Sequence, residues 1–122
     1  MSVDGHLTET VIQSIIRVHQ QLGPGFQESI YKNALIIELA KRSVSFETEK
    51  DVVVYYDGHV VGKHRIDVFV EGQLILELKT VDQLAGVHYA QARSYLKATG
   101  GELALLVNFA GEKADFRRVE MK

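Results

Sequence analysis

The stretch "QLILELK", residues 73–79, constrains the fold more than any other part of this chain. Side chains alternate between the two faces of a strand, so Leu74, Leu76 and Leu78 share one side while Ile75, Glu77 and Lys79 share the other. Apolar residues on both sides mark a central strand, covered above and below by other elements. The rest of the chain supplies the covering helices. Residues 7–22, "LTETVIQSIIRVHQQL", place Val11, Ile12, Ile15, Ile16 and Leu22 near helical spacing, and the only proline, in "GPG" at 23–25, ends that helix. A second helix over 26–42 carries Ile30, Ala34, Leu35 and Leu39 as an apolar stripe. Helical spacing returns over 82–99 and stops at Gly100-Gly101, a suitable left-handed cap.

From residue 46 the period is two. "DVVVYY" and "HVVGKHRIDVFV" flank Asp57-Gly58, a pair that readily adopts positive φ and so predicts a hairpin. Glu71-Gly72 makes a second turn into "QLILELK", while "LALLVNF" and "ADFRRVE" read as two closing strands. The predicted order is ααβββαββ, an α/β fold with a mixed β-sheet flanked by helices. At 122 residues, the whole of 1–122 is expected to form one domain. No apolar run is long enough to span a membrane, and the opening "MSVDGH" lacks the basic start and apolar stretch of a secretory signal. The absence of cysteine excludes disulfides and thiolate metal sites, and the expected address is cytoplasmic.

Charge narrows the function. With 14 Lys and Arg against 16 Asp and Glu, the net charge of −2 excludes a surface that coats nucleic acid indiscriminately. Contact with a polyanion must be local, or use metal ions to neutralise the chain's own carboxylates. Glu77 and Lys79 share a strand face roughly 6–7 Å apart. Asp67 lies on the neighbouring strand, where the groups can converge at one end of the sheet. Two adjacent carboxylates repel unless a cation sits between them, and Mg²⁺ meets that demand with oxygen ligands. A lysine alongside can hold a water or stabilise charge developing on phosphorus. The same spacing also fits a solvated Glu–Lys pair, although the apolar residues around Glu77 make an uncompensated charge costly there.

The arrangement Asp67…Glu77-Leu78-Lys79 resembles the PD-(D/E)XK nuclease signature, with Ile66 in place of the signature's proline. "GPGFQESIY" resembles the Gly-x-x-Glu-x-x-Tyr motif of the GxxExxY family within that superfamily, through Gly25, Glu28 and Tyr31. "HYAQARSYLKATGGELALLVNF" is similar to the same family, so the likeness spans nearly the whole chain. The resemblance implies a restriction-endonuclease-like core and a RecB-like site. Asp67 and Glu77 would bind Mg²⁺ (or Mn²⁺), with the Leu78 carbonyl and Glu28 as further ligands. Lys79 would position the attacking water. Gln91-x-x-x-Tyr95 resembles the Gln-x-x-x-Tyr motif of RecB-like nucleases and implies polar groups beside the reacting phosphate.

His88 shares a helix face with Gln91 and Tyr95, and the substrate-binding set read from these motifs is Tyr95, His88, Tyr31 and Arg93. Structural alternatives stand beside these roles. Glu28 fits a helix-start carboxylate with Tyr31 packed beneath it, Tyr95 fits a residue packed on the sheet, and His19 fits a hydrogen-bonded core histidine. "GKHR" at 62–65, with Arg93, Lys97, Arg117 and Arg118, fits a phosphate-contacting rim or a solvated surface. The expected activity is metal-dependent hydrolysis of phosphodiesters, in DNA before RNA, by a monomer or a homodimer. The alternative is a noncatalytic nucleic-acid-binding or assembly module that retains the fold.

Overall fold

The computed structural model describes residues 3–121; Met1 and Ser2, at the head of the stretch read for a secretory signal, and Lys122 lie outside the described residues. The elements are α1 (Gly5–Leu22), α2 (Glu28–Lys41), β1 (Phe46–Tyr56), β2 (His59–Val70), β3 (Leu74–Lys79), α3 (Gly86–Thr99), β4 (Leu103–Asn108) and β5 (Asp115–Glu120). The predicted order ααβββαββ is the observed one. Differences lie at the helix starts and have local causes. α1 begins earlier because the Asp4 carboxylate accepts the His6 N–H at 2.9 Å and caps it. α2 begins later because Gly23 and Gly25, at φ 72° and 106°, hold the preceding segment out of helix. α3 starts at Gly86 rather than 82 because Asn108 claims the connecting segment. Its side chain accepts the Val81 N–H at 3.1 Å and donates to the Val81 carbonyl at 2.7 Å.

The five strands lie in the order β1-β2-β3-β4-β5. β3 and β4 are parallel and the other neighbours antiparallel, so the sheet is mixed. A parallel pair needs a crossover, and α3 makes it. β3 is central and covered on both faces. Leu74, Leu76 and Leu78 pack with Val11, Ile15, Leu35 and Leu39 of α1 and α2, while Ile75 packs with Ala92 and Leu96 of α3. Each such enclosed aliphatic side chain contributes about 1.5–3 kcal/mol of burial free energy. Among the described residues, no helix is long and apolar enough to cross a membrane.

β1 and β2 pair along almost their whole length, from Phe46↔Val70 to Tyr56↔His59. β2 meets β3 only over Val68–Val70, so the rest of the hairpin projects past β3 as an arm. Tyr55, Tyr56, Val60 and Val61 are exposed near its tip.

Tyr31 is 0% exposed, which corrects its assignment to substrate contact: an enclosed ring offers no surface to a nucleic acid. It stacks on Phe109 with ring centroids 4.5 Å apart. Its hydroxyl donates to the Gly23 carbonyl at 2.6 Å and accepts the Phe26 N–H at 3.2 Å, locking the glycine-proline loop onto the core. His19 is also structural. Its Nε2 donates to the carbonyls of Gly111 and Phe109 at 2.8 and 3.2 Å. Tyr31→Phe keeps the stacked ring and removes only the loop's two hydrogen bonds. Urea unfolding is expected to show a loss of about 1–2 kcal/mol for this variant.

Candidate active site

The β2–β3 ladder runs through Val70↔Leu74, Phe69↔Ile75 and Val68↔Leu76, and the next step would set Asp67 opposite Glu77. There the side chains take over. The Leu78 N–H donates to Asp67 Oδ2 at 2.8 Å, and the Asp67 N–H donates to a Glu77 carboxylate oxygen, Oε2, at 3.2 Å. Each acid therefore occupies an amide at the point where the strands part. The exchange holds the two carboxylates side by side and leaves each with a second oxygen for other work. The Leu78 side chain is wholly buried in the core, so only its backbone reaches the site.

Burial sets the electrostatics. Glu77 is 3% exposed. Its pKa is pushed up to about 8, first by burial and then by the neighbouring Asp67 charge, with Lys79 opposing and Glu28 adding to the rise. Asp67 is also raised, chiefly by burial, while the Leu78 N–H, Lys32 and Lys79 pull it back. Glu28, at the first position of α2, is raised by burial and by Asp67, with Lys79 and Lys32 opposing. The three acids thus share one field although they come from α2, β2 and β3. The Tyr95 hydroxyl lies in that field too. Burial, then the charges of Glu77 and Asp67, push its pKa up to about 12, so it remains a protonated donor.

Lys79 Nζ donates to Gln91 Oε1 at 2.9 Å, which ties the strand lysine to α3. Asp67, Glu77, Lys79, Glu28, Gln91 and Tyr95 are therefore brought together. His88 serves its own helix, since its Nδ1 accepts the Ala85 N–H at 2.9 Å and closes the start of α3. Arg93 is exposed and stands two residues beyond Gln91, about 200° around a helix of 3.6 residues per turn. Arg93 thus stands on a different side of α3 from Gln91 and Tyr95.

Two residues at the site escape the motifs. Lys32 lies one helical turn beyond Glu28 on α2, where its charge acts on both Asp67 and Glu28. Its Nζ is 3.9 Å from a Glu49 carboxylate oxygen on β1. The i, i+4 spacing from Glu28 was a usable signal for Lys32. Glu49 had none, because its position depends on a left-handed φ of 50° within the strand.

Among the described residues, no three His, Cys, Asp or Glu side chains are packed closely enough to form a ready-made metal cage. The donors offered are carboxylates, which suit a hard divalent ion held by few protein ligands and several waters. The upward shift of all three acids also fits such an ion, since a cation between buried like charges would relieve the repulsion. In the metal-free protein, these shifts make stability fall with rising pH. The unfolded chain releases the Glu77 proton at its ordinary value while the folded chain holds it to about 8, so the fold is favoured below that window and loses the advantage across it. Urea midpoints in EDTA are expected to be higher near about pH 6 than near about pH 9, and Glu77→Gln should remove most of the difference. An unchanged pH slope in that variant would overturn this account of Glu77.

Comparison with known proteins bears on the family and the fold. The family model of the PD-(D/E)XK nuclease superfamily matches residues 5–119. A solved structure described as "Crystal structure of SSO0001" superposes with a TM-score of 0.54 at 17% identity, covering 95% of this chain and 78% of that one. That likeness shows a shared fold. No curated protein matches the chain in sequence. With a mixed five-stranded sheet of the restriction-endonuclease-like kind and a family match over almost all of its length, the chain belongs to the PD-(D/E)XK nuclease superfamily.

Proposed function

We propose that this protein is a metal-dependent nuclease of the GxxExxY family, hydrolysing phosphodiester bonds in DNA before RNA. The observation that carries the reading is the exchanged pair of contacts at the parting of β2 and β3, with Lys79 alongside. Mg²⁺ or Mn²⁺ would be held by Asp67, Glu77, the Leu78 carbonyl and Glu28, supplying positive charge to a phosphate oxygen. The protein's own groups do the rest. Glu77 must give up its proton to bind a cation, so metal affinity rises as pH approaches and passes the Glu77 pKa of about 8.

Lys79, steadied by Gln91, holds a water in line with the bond to be broken and donates hydrogen bonds to the phosphate oxygens on which negative charge accumulates. Water's oxygen forms the new bond to phosphorus as the P–O3′ bond breaks, leaving a 5′-phosphate and a 3′-hydroxyl. Tyr95 is a protonated hydroxyl beside the acids, and His88 lies on the same helix flank as Gln91 for contact with the substrate backbone. The proposed unit is residues 1–122 as one cytoplasmic domain, with a homodimer as the form that cuts both strands of a duplex.

The test is a cleavage assay with single- and double-stranded DNA and RNA in Mg²⁺ or Mn²⁺. Asp67→Asn, Glu77→Gln and Lys79→Ala are each expected to lower the rate by about 10²-fold or more, as for loss of a group that stabilises developing charge. Gln91→Ala should cost less, because the lysine survives without its tether. Cleavage persisting equally in Lys79→Ala would overturn the reading and favour the noncatalytic module. Calorimetry with Mn²⁺ gives a second readout, and Asp67→Asn should abolish the uptake seen with the unaltered protein.

A further inference from the structure

We propose that Lys32 is a second phosphate-binding lysine of this site, and that Glu49 occupies its ammonium until a phosphodiester takes Glu49's place. The inference rests on the nuclease reading and deepens it. Lys32 follows Glu28 by four residues, so both lie on one side of α2, the side whose Tyr31, Leu35 and Leu39 enter the core. That direction carries Lys32 toward the acids, and its side chain is only 17% exposed. It meets β1 at Glu49, the position across from Asp67.

Glu49 is the only anion paired with Lys32 among the described residues, and the contact is loose. At 3.9 Å it is an ion pair without a hydrogen bond, and the Glu49 side chain is 59% exposed. A pair this long, with the carboxylate exposed, is weak, so an arriving anion can replace it at little cost. Yet Glu49 is held in place by an unusual backbone. It lies between the paired positions Thr48↔Val68 and Lys50↔Ile66, directly across from Asp67, with φ at 50°. A left-handed glutamate inside a strand is unfavourable and persists where its surroundings fix it. The Glu49 carboxylate stands 3.9 Å from the Lys32 ammonium.

Charge balance gives the lysine its role. When Glu28, Asp67 and Glu77 are ionised around a divalent ion, Lys79 brings the sum to zero. A phosphodiester then adds one negative charge, and Lys32 is the nearby cation left to meet it. Lys79 has the neutral Gln91 as its partner, whereas Lys32 is covered by a carboxylate. A phosphate oxygen displacing Glu49 therefore exchanges one anion for another at a site already shaped for it.

The experiment measures binding, apart from turnover. Phosphorothioate DNA and RNA oligonucleotides, which resist hydrolysis, are titrated with Mg²⁺ present and followed by fluorescence anisotropy over a range of KCl. Lys32→Met is expected to weaken binding about 10-fold and to reduce the salt slope by about one phosphate contact, with Lys32→Arg restoring both. Glu49→Gln should bind several-fold more tightly with an unchanged salt slope, because it removes the competitor and keeps the cation. Folding of each variant is checked by circular dichroism, and Glu49 is exposed enough that losing its partner leaves no buried charge. A salt slope indifferent to Lys32→Met, or a Glu49→Gln variant that binds no better, overturns the inference. If the unaltered protein cuts in a Lys79-dependent way while either result holds, this inference alone is overturned. If the unaltered protein neither binds nor cuts any of the polynucleotides, the nuclease reading falls and takes the inference with it.

Discussion

Asp67 takes the amide of Leu78, and Glu77 takes the amide of Asp67, at the step where two strands would otherwise bond to each other. An unpaired buried N–H costs about 1–3 kcal/mol, so the strands can part there only because each side chain supplies what the opposite backbone withdraws. Much of the architecture follows from that exchange. The exchange must involve a strand that is covered on both faces, since exposure would dissolve the contacts in water. β3 meets this condition through two helices on one face and α3 on the other. Two of these three helices deliver the remaining polar groups. α2 begins with Glu28, and α3 carries Gln91 to the tip of Lys79.

What could be read from the sequence was what depended on short-range pattern. The two-sided apolar character of residues 74–78 marked the central strand, and Asp57-Gly58 marked the hairpin, with Asp57 and Gly58 both at positive φ. Asp67, Glu77 and Lys79 could be placed together because strand alternation and one turn fix their faces. The Gly-x-x-Glu-x-x-Tyr motif was harder to divide. Glu28 and Tyr31 are three apart on one helix, yet the acid looks toward the site while the tyrosine is buried against Phe109. Spacing cannot distinguish these fates, because a core partner almost eighty positions away decides the second. The start of α3 was similarly hidden, since Asn108 fixes Val81 from far along the chain. Glu49 and its ion pair depend on a backbone angle that no residue type at that position announces.

The chain is mildly acidic, yet its site gathers lysines from a helix and a strand. Net charge describes the outer surface and the long-range field. It does not describe the interior of a cleft, where burial magnifies each local charge. At 17% identity to a structure of the same fold, side chains differ at most positions while the fold is shared. A scaffold can survive such replacement because cores accept many apolar combinations of the right volume.

The projecting hairpin has a mechanical consequence. β2 is continuous from His59 at the arm's far end to Val70 in the sheet, and Asp67 lies one residue before the segment that β3 clamps. α3 braces the middle of the arm through His64, whose ring meets Tyr95 edge-on at 4.4 Å and whose Nε2 is 3.3 Å from the Ser94 hydroxyl. The arrangement is a beam with its pivot at His64 and one acid mounted just short of the anchored end. Whatever grips Val60 and Val61 pulls on the same strand that aims Asp67 at Glu77.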